Sequence, residues 1–301
     1  MNTKNRKVTK AVITAAGYGT RFLPATKNIP KELLPIINKP TISYVVDQCI
    51  EAGIEEIIIV TRFGNHAVED YFDSEPALEK YLIEKGKKDL AESIKEIYKG
   101  ANFIFVRQNP DLPYGNAAPI YTVKELIGDN EPFIVSWGDD IILGKGVGVV
   151  ELVNMYEKEP ADVILNCLDS SPEEISRIGA EVQLEDGSNV VKKIIEKPPA
   201  DKVKSNLLSV SPYLFTGKLF KYLQPKKDSK LGEFYIQKGI NGIMKDGGTV
   251  RANVTKGKWI TNGNPFDYLK ATIEIALSRD DLNGDFIDYL KKRIQEYEQK
   301  K

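Results

Sequence analysis

The 301 residues predict an α/β fold: a mixed, mostly parallel sheet with helices on both faces. Two observations carry this expectation. Over the first half, short apolar runs alternate with stretches whose apolar positions recur at helical spacing, which is the pattern of βαβ units. Gly17, Gln108 and Asp139 each fall just past the end of an apolar run. Open α/β sheets gather ligands there, at the carboxyl ends of their strands.

In order, residues 8–15 read as a strand. Residues 42–52 read as a helix with Val45, Val46, Cys49 and Ile50 on one face. A second strand is expected at 56–61 and helices at 68–72 and 77–98, the latter with dense Lys/Glu pairing on its wet face. Residues 103–107 read as a third strand, 117–127 as a helix and 132–137 as a fourth strand. The second half is less regular. A strand at 161–167 precedes a hairpin of 180–184 and 190–196, turning at Asp186-Gly187. A strand at 207–214, helices at 219–223 and 236–245, a strand at 250–254 and helices at 265–278 and 286–300 complete the chain. No repeat or linker divides it, so one domain is expected. Its halves span about residues 8–145 and 146–270, with C-terminal helices over 271–301.

Composition excludes several classes. With 42 basic and 43 acidic residues the net charge is −1, so nothing global draws the chain to nucleic acid or an anionic membrane. No apolar run is long enough to span a bilayer. Residues 1–10 are polar and basic, without the apolar core of a secretory signal. Cys49 and Cys167 are far apart and lie in apolar patterns, which suits buried thiols in a reducing cytosol, and no Cys/His cluster suggests zinc.

The stretch Ala11–Pro35 reads AVITAAGYGTRFLPATKNIPKELLP. An apolar strand ending at Ala15 runs into Ala16-Gly17-Tyr18-Gly19-Thr20, with Arg21 next and Lys31 ten residues on. Glycines let a backbone turn tightly enough to aim several N–H groups at one anion. Two cations beside them suit a triphosphate whose bond is to be broken, because charge grows on its oxygens. The run is not a P-loop, since no G-x-x-x-x-G-K-[ST] follows Gly17. It is not a dinucleotide fingerprint either, because the third glycine of G-x-G-x-x-G is missing. Asp139-Asp140 closes the fourth strand, and paired carboxylates there suit a hard cation such as Mg²⁺.

This stretch resembles the signature of the sugar-1-phosphate nucleotidylyltransferases, and the run Ala25–Pro35 looks most like the bacterial-type UTP–glucose-1-phosphate uridylyltransferases. The resemblance spans roughly residues 8–280. It implies a Rossmann-like sheet of the nucleotide-diphospho-sugar transferase type. It also implies transfer of a uridylyl group from UTP to glucose 1-phosphate, Mg²⁺ as cofactor, and a cytoplasmic homodimer or homotetramer. By the same resemblance Arg21, Lys31 and Asp139 are catalytic, with Asp139 holding the metal. Ala15, Ala16, Gly17, Gly19, Thr20, Gln108 and Gly115 would bind the nucleotide. Asp140, Gly179, Glu196 and Lys197 would bind the sugar phosphate, the last two within Glu196-Lys197-Pro198.

The chain departs from the family pattern at several places. Asn116 stands for a histidine after Gly115, and Ile178 for an aromatic before Gly179. Lys238 stands for an aspartate after Gly232-Glu233, and Thr261 for an aspartate before Asn262-Gly263. Threonine is neutral and binds a cation only through its hydroxyl, so weaker metal binding is expected, with Asn262 as an alternative carbonyl donor. His66, the single histidine, reads as a loop residue. Rival readings are a thymidylyltransferase, an N-acetylglucosamine-1-phosphate uridylyltransferase, or a nucleotide-sugar-binding regulatory subunit without catalysis.

Overall fold

The computed structural model describes residues 6–225 and 234–300. Strand β1 (Lys10–Ala15) leads through a long connection carrying 3-10 turns at Thr20–Phe22, Ala25–Lys27 and Lys31–Leu33 to a hairpin of two-residue strands, β2 (Pro35–Ile36) and β3 (Lys39–Pro40), and then helix α1 (Thr41–Glu51). Strand β4 (Glu56–Thr61) is followed by α2 (Ala67–Tyr71), α3 (Pro76–Glu84) and α4 (Lys88–Lys99). The single helix expected over 77–98 is therefore two. Gly86 adopts the left-handed backbone (φ +73°) that ends a helix, and the chain reverses there. Next come β5 (Asn102–Arg107), α5 (Ala117–Thr122), β6 (Pro132–Trp137), β7 (Asp140–Leu143) and α6 (Val149–Lys158).

The second half adds β8 (Val163–Asp169), α7 (Pro172–Ile178), β9 (Ala180–Leu184), β10 (Val191–Glu196), β11 (Leu207–Thr216) and α8 (Leu219–Tyr222). After the undescribed segment come α9 (Ile236–Lys245), β12 (Val250–Val254), β13 (Lys258–Thr261), α10 (Pro265–Ser278) and α11 (Asn283–Glu298).

Nine strands form one sheet in the order β10-β9-β11-β6-β1-β4-β5, with β8 and β12 continuing from β11. The run β6-β1-β4-β5 is parallel throughout. Strand β11 joins the halves and runs antiparallel to β6, β8 and β9. Its register shifts between Val210 and Tyr213, which lets one strand serve neighbours that diverge.

Alternation along the central strands feeds two cores. Val12, Ile58 and Val60 point to the face covered by α5 and α9, with Ala117, Ile120, Ile236 and Ile240. Ala11, Ile13, Ile57 and Ile59 point to the other, with Val45 and Cys49 of α1, Leu152 of α6 and Ile275 of α10. Strands buried on both faces are why the sequence shows continuous apolar runs there rather than alternation. Cys49 and Cys167 are both buried free thiols.

Candidate active site

Register brings the distinctive residues to one edge. Thr14 pairs with Trp137, Ala15 with Thr61, and Thr61 with Arg107. Ala16, Arg62, Gln108 and Gly138 therefore leave the sheet side by side. The ladder continues one step further: Gly138 N–H donates to Thr14 O at 3.0 Å, and Gln108 N–H to Thr61 O at 2.7 Å.

The loop after β1 is folded over Lys31. Gly19 has φ +62°, and a Cβ there would lie 3.3 Å from Lys31 Cβ and from Thr26 Cβ. A Cβ at Gly17 would lie 3.5 Å from Lys31 Cε. The Thr26 hydroxyl donates to Gly19 O at 2.8 Å and fixes the turn. The stem of Lys31 is thus the floor beneath the two glycines. Arg21 leaves the same loop and donates from Nη1 to Gly263 O at 3.1 Å, tying the loop to the segment after β13.

Lys31 Nζ donates to Asp139 Oδ2 and lies 3.8 Å from Glu32 Oε1. Burial alone would lower its pKa, but Asp139 and then Glu32 more than offset that, and the ammonium is held above its ordinary range. Glu32 is 1% exposed, and its Oε2 has no hydrogen-bond partner. Burial pushes its carboxyl up to about 7, against the pull of Lys31. Burial, followed by repulsion from Asp139, likewise raises Asp140 to about 7, while Thr261 lowers it. Thr261 is the residue directly opposite Asp140 in the β7–β13 pair.

A cavity of about 970 Å³ opens beside this cluster. Its walls include Arg21, Asp139, Asp140, Gly179, Glu196 and Lys197. All the residues expected to bind a sugar phosphate are therefore brought together. Ala15, Ala16, Gly17, Gly19, Thr20, Lys31, Gln108 and Gly115 do not line it; they belong to the adjoining strand-end edge or, for Gly115, to the segment after β5. Lys197 sits at φ +40°, an uncommon conformation for a side-chain-bearing residue, and its N–H donates to Gly179 O at 2.9 Å. That bond ties the end of β10 to the end of α7.

Gly115 has a packing reason for being glycine. A Cβ there would fall 2.2 Å from Phe234 O. Phe234 N–H donates to Tyr114 O at 2.8 Å, Ala117 N–H to Phe234 O at 3.0 Å, and Ile236 N–H to Asn116 Oδ1 at 2.9 Å. Asn116 thus fastens the start of α9. Gly232 and Glu233 lie outside the described residues, and Lys238 lies on α9. Asn262 is buried and turns its Nδ2 to Thr41, while its backbone N–H donates to Asp139 O at 2.8 Å. It is not among the cavity walls. His66 Nδ1 stands 3.1 Å from Arg107 Nη2 and 3.4 Å from Glu69 Oε2, in a polar cluster at the end of β5.

Among the described residues, no group of three or more His, Cys, Asp or Glu could hold a metal ion. What is present is an oxygen-only set, Asp139 and Asp140 with the Thr261 hydroxyl close by. That set fits Mg²⁺, which commonly takes one or two carboxylates and completes its shell with phosphate oxygens and water. Sequence reasoning left Glu32 and Arg62 without roles. The adjacency of Glu32 to Lys31 was the available signal; for Arg62 there was none beyond its place after a strand.

Residues 10–277 match the nucleotidyl transferase family. The chain belongs to that family. It is 38% identical over 298 residues to the UTP–glucose-1-phosphate uridylyltransferase of Bacillus subtilis (strain 168), covering 97% of this chain and 99% of that one. Its structure is similar to the UTP-bound UGPase from Acinetobacter baumannii, with TM-score 0.83, 30% identity and coverage of 94% and 98%. A UDP-glucose pyrophosphorylase complexed with UDP-glucose is similar at TM-score 0.77 and 33% identity, covering 90% of this chain and all of that one. The expected fold, a nucleotide-diphospho-sugar transferase sheet, is the fold of these neighbours.

Proposed function

We propose that the chain transfers the uridylyl group of UTP to glucose 1-phosphate, giving UDP-glucose and releasing pyrophosphate. The observation that carries this is the junction of two half-sites: a glycine loop floored by Lys31, joined through Asp139 to a cavity walled by Glu196 and Lys197. Near full-length similarity to a uridylyltransferase supports the choice of substrates.

In the reaction a phosphate oxygen of glucose 1-phosphate attacks the α-phosphorus of UTP, and the α–β bridging bond breaks. The nucleophile is already anionic, so no strong general base is needed. Catalysis reduces to alignment and charge neutralisation. The Gly17–Thr20 backbone, Arg21 and Lys31 hold the triphosphate. Gln108 offers a donor and an acceptor to the uracil edge, with Ala15, Ala16 and Gly115 supplying backbone nearby. Lys197 holds the incoming phosphate, while Glu196, Asp140 and Gly179 read the sugar hydroxyls. Asp139 would hold Mg²⁺, which when bound supplies positive charge to the phosphate oxygens.

Exposed apolar residues on the C-terminal helices, such as Phe266 (67% exposed) and Leu269 (59%), support self-association as a homodimer or homotetramer. Among the described residues no helix is long and apolar enough to cross a membrane. Two buried free thiols suit a cytoplasmic setting.

The test is pyrophosphate release with Mg²⁺ across UTP, dTTP, CTP and ATP against glucose, galactose and N-acetylglucosamine 1-phosphates. A dominant signal at UTP with glucose 1-phosphate is expected. A dominant signal elsewhere refutes the substrate assignment, and silence from folded protein that still binds UTP leaves a binding subunit.

A further inference from the structure

Arg62 takes no part in the site as described so far, yet it stands at its lip. It is the first residue past β4, between the loop after β1 and Gln108 after β5. Its guanidinium lies over the Tyr18 ring, 5.2 Å from the centroid. Tyr18 is the residue between Gly17 and Gly19, so the stack sets the guanidinium against the phosphate loop itself. Its Nε is buried without a hydrogen-bond partner. A buried guanidinium donor without an acceptor is costly, because Arg does not shed its charge and its donors form a fixed fork. An aromatic face holds such a group in place without using its N–H donors, which stay available for an anion.

We propose that Arg62 is a further triphosphate-binding residue, held by Tyr18 so that its free donors meet the β- and γ-phosphates of the nucleotide, the part that leaves as pyrophosphate. This rests on the reading of the chain as a nucleotidyl transferase acting on a nucleoside triphosphate. The planar fork of Arg62 binds two oxygens of a phosphate together, which the point charge of Lys31 cannot do.

The proposal separates ligands that contain the leaving pyrophosphate from one that does not. Arg62→Gln is compared with the unaltered protein by calorimetric titration of UTP, pyrophosphate and UDP-glucose, and by thermal unfolding. Loss of a charge-assisted pair predicts about tenfold weaker UTP and pyrophosphate binding, with UDP-glucose unchanged within about twofold and the melting temperature close to that of the unaltered chain. Arg62→Lys, which keeps the charge and loses the fork, should recover part of the affinity. Equal weakening of UTP and UDP-glucose would place Arg62 on the shared uridine and α-phosphate and overturn the proposal, as would unchanged binding of all three. Should Arg62→Gln fail to fold, Arg62→Lys decides on the same comparison. The unaltered protein is titrated first: failure to bind UTP there refutes the functional reading, whereas binding there with no change in the variant refutes only the role of Arg62.

Discussion

Glu32→Gln should flatten the pH dependence of folding. The carboxyl of Glu32 is fully buried, and it titrates near 7 in the folded chain against about 4.5 when unfolded. Between those values the native state keeps a proton that the unfolded state has lost. Stability changes with pH as 2.303RT times the excess of protons bound by the unfolded state, which here is negative. This carboxyl's contribution is therefore fully present below about 4.5 and is lost as pH rises towards 7. A gap of about 2.5 pH units at 1.36 kcal/mol each gives about 3 kcal/mol. Glutamine keeps the shape and cannot ionise. Urea unfolding followed by fluorescence of Trp137 and Trp259 at pH 4.5 and pH 8 gives both stabilities by linear extrapolation. On going from the lower pH to the higher, the unaltered protein should lose about 3 kcal/mol more than Glu32→Gln. Asp140 titrates in the same direction in both proteins and largely cancels from the difference. Parallel pH dependences, within about 1 kcal/mol, would refute the argument that Glu32 is an ionisable group desolvated beside Lys31.

Gly115→Ala should cost at least about 3 kcal/mol more than Gly64→Ala by the same unfolding assay. Both glycines have positive φ, but a Cβ meets Phe234 O at Gly115 and nothing within 4 Å at Gly64. Lys197→Ala should raise the KM for glucose 1-phosphate about tenfold while leaving UTP binding near normal, because the charge-assisted contact it removes lies on the sugar-phosphate side; an equal loss for both substrates in steady-state kinetics would contradict that placement. Thr261→Asp should lower the melting temperature in EDTA, since it sets a further carboxylate opposite the half-buried Asp140, and should enlarge the rise that Mg²⁺ produces. A melting temperature unchanged in both conditions would show that position 261 does not feel the acidic cluster.

The parallel half of the fold was legible because strands buried on both faces carry continuous apolar runs, and the helices between them are amphipathic. The structure extends or trims those elements by a residue or two, except that the helix expected over 117–127 ends at Thr122 and is followed by a separate 3-10 turn at Lys124–Leu126. Strands β7 and β13 were not legible: they are four residues each and pair only with one another across more than a hundred positions. No local pattern marks such a ribbon. Helix α6 follows a glycine-rich lead whose cap is Glu151 reaching back to Gly148 N–H at 3.0 Å, and α7 is only seven residues long. The break between α3 and α4 was hidden by an unbroken Lys/Glu pattern on either side of Gly86. For the site, Arg21, Lys31 and Asp139 could be singled out by residue type, because each sets a full charge beside a glycine loop or at the end of an apolar strand, whereas Lys197 was singled out only through the family resemblance. Glu32 and Arg62 needed the third dimension, because burial decides what each does.

The cation at the floor of the phosphate loop rests against Asp139, the carboxylate that the proposed reaction assigns to the metal. A half-buried ammonium and a half-buried carboxylate neutralise one another, so the site without substrate leaves neither charge uncompensated. On the proposed reaction, a triphosphate and its divalent cation would offer both groups new partners at once: phosphate oxygens for Lys31, a cation for Asp139. Either exchange alone would strand the other group without a counter-charge in a poorly solvated place. On that reaction, nucleotide and metal binding would therefore be coupled. Glu32, with one oxygen 3.8 Å from the ammonium and Oε2 without a partner, would balance Lys31 during the exchange above about pH 7, where it is ionised. The three acidic groups around one lysine are then less an excess of negative charge than the counter-charges for two successive states of the same site.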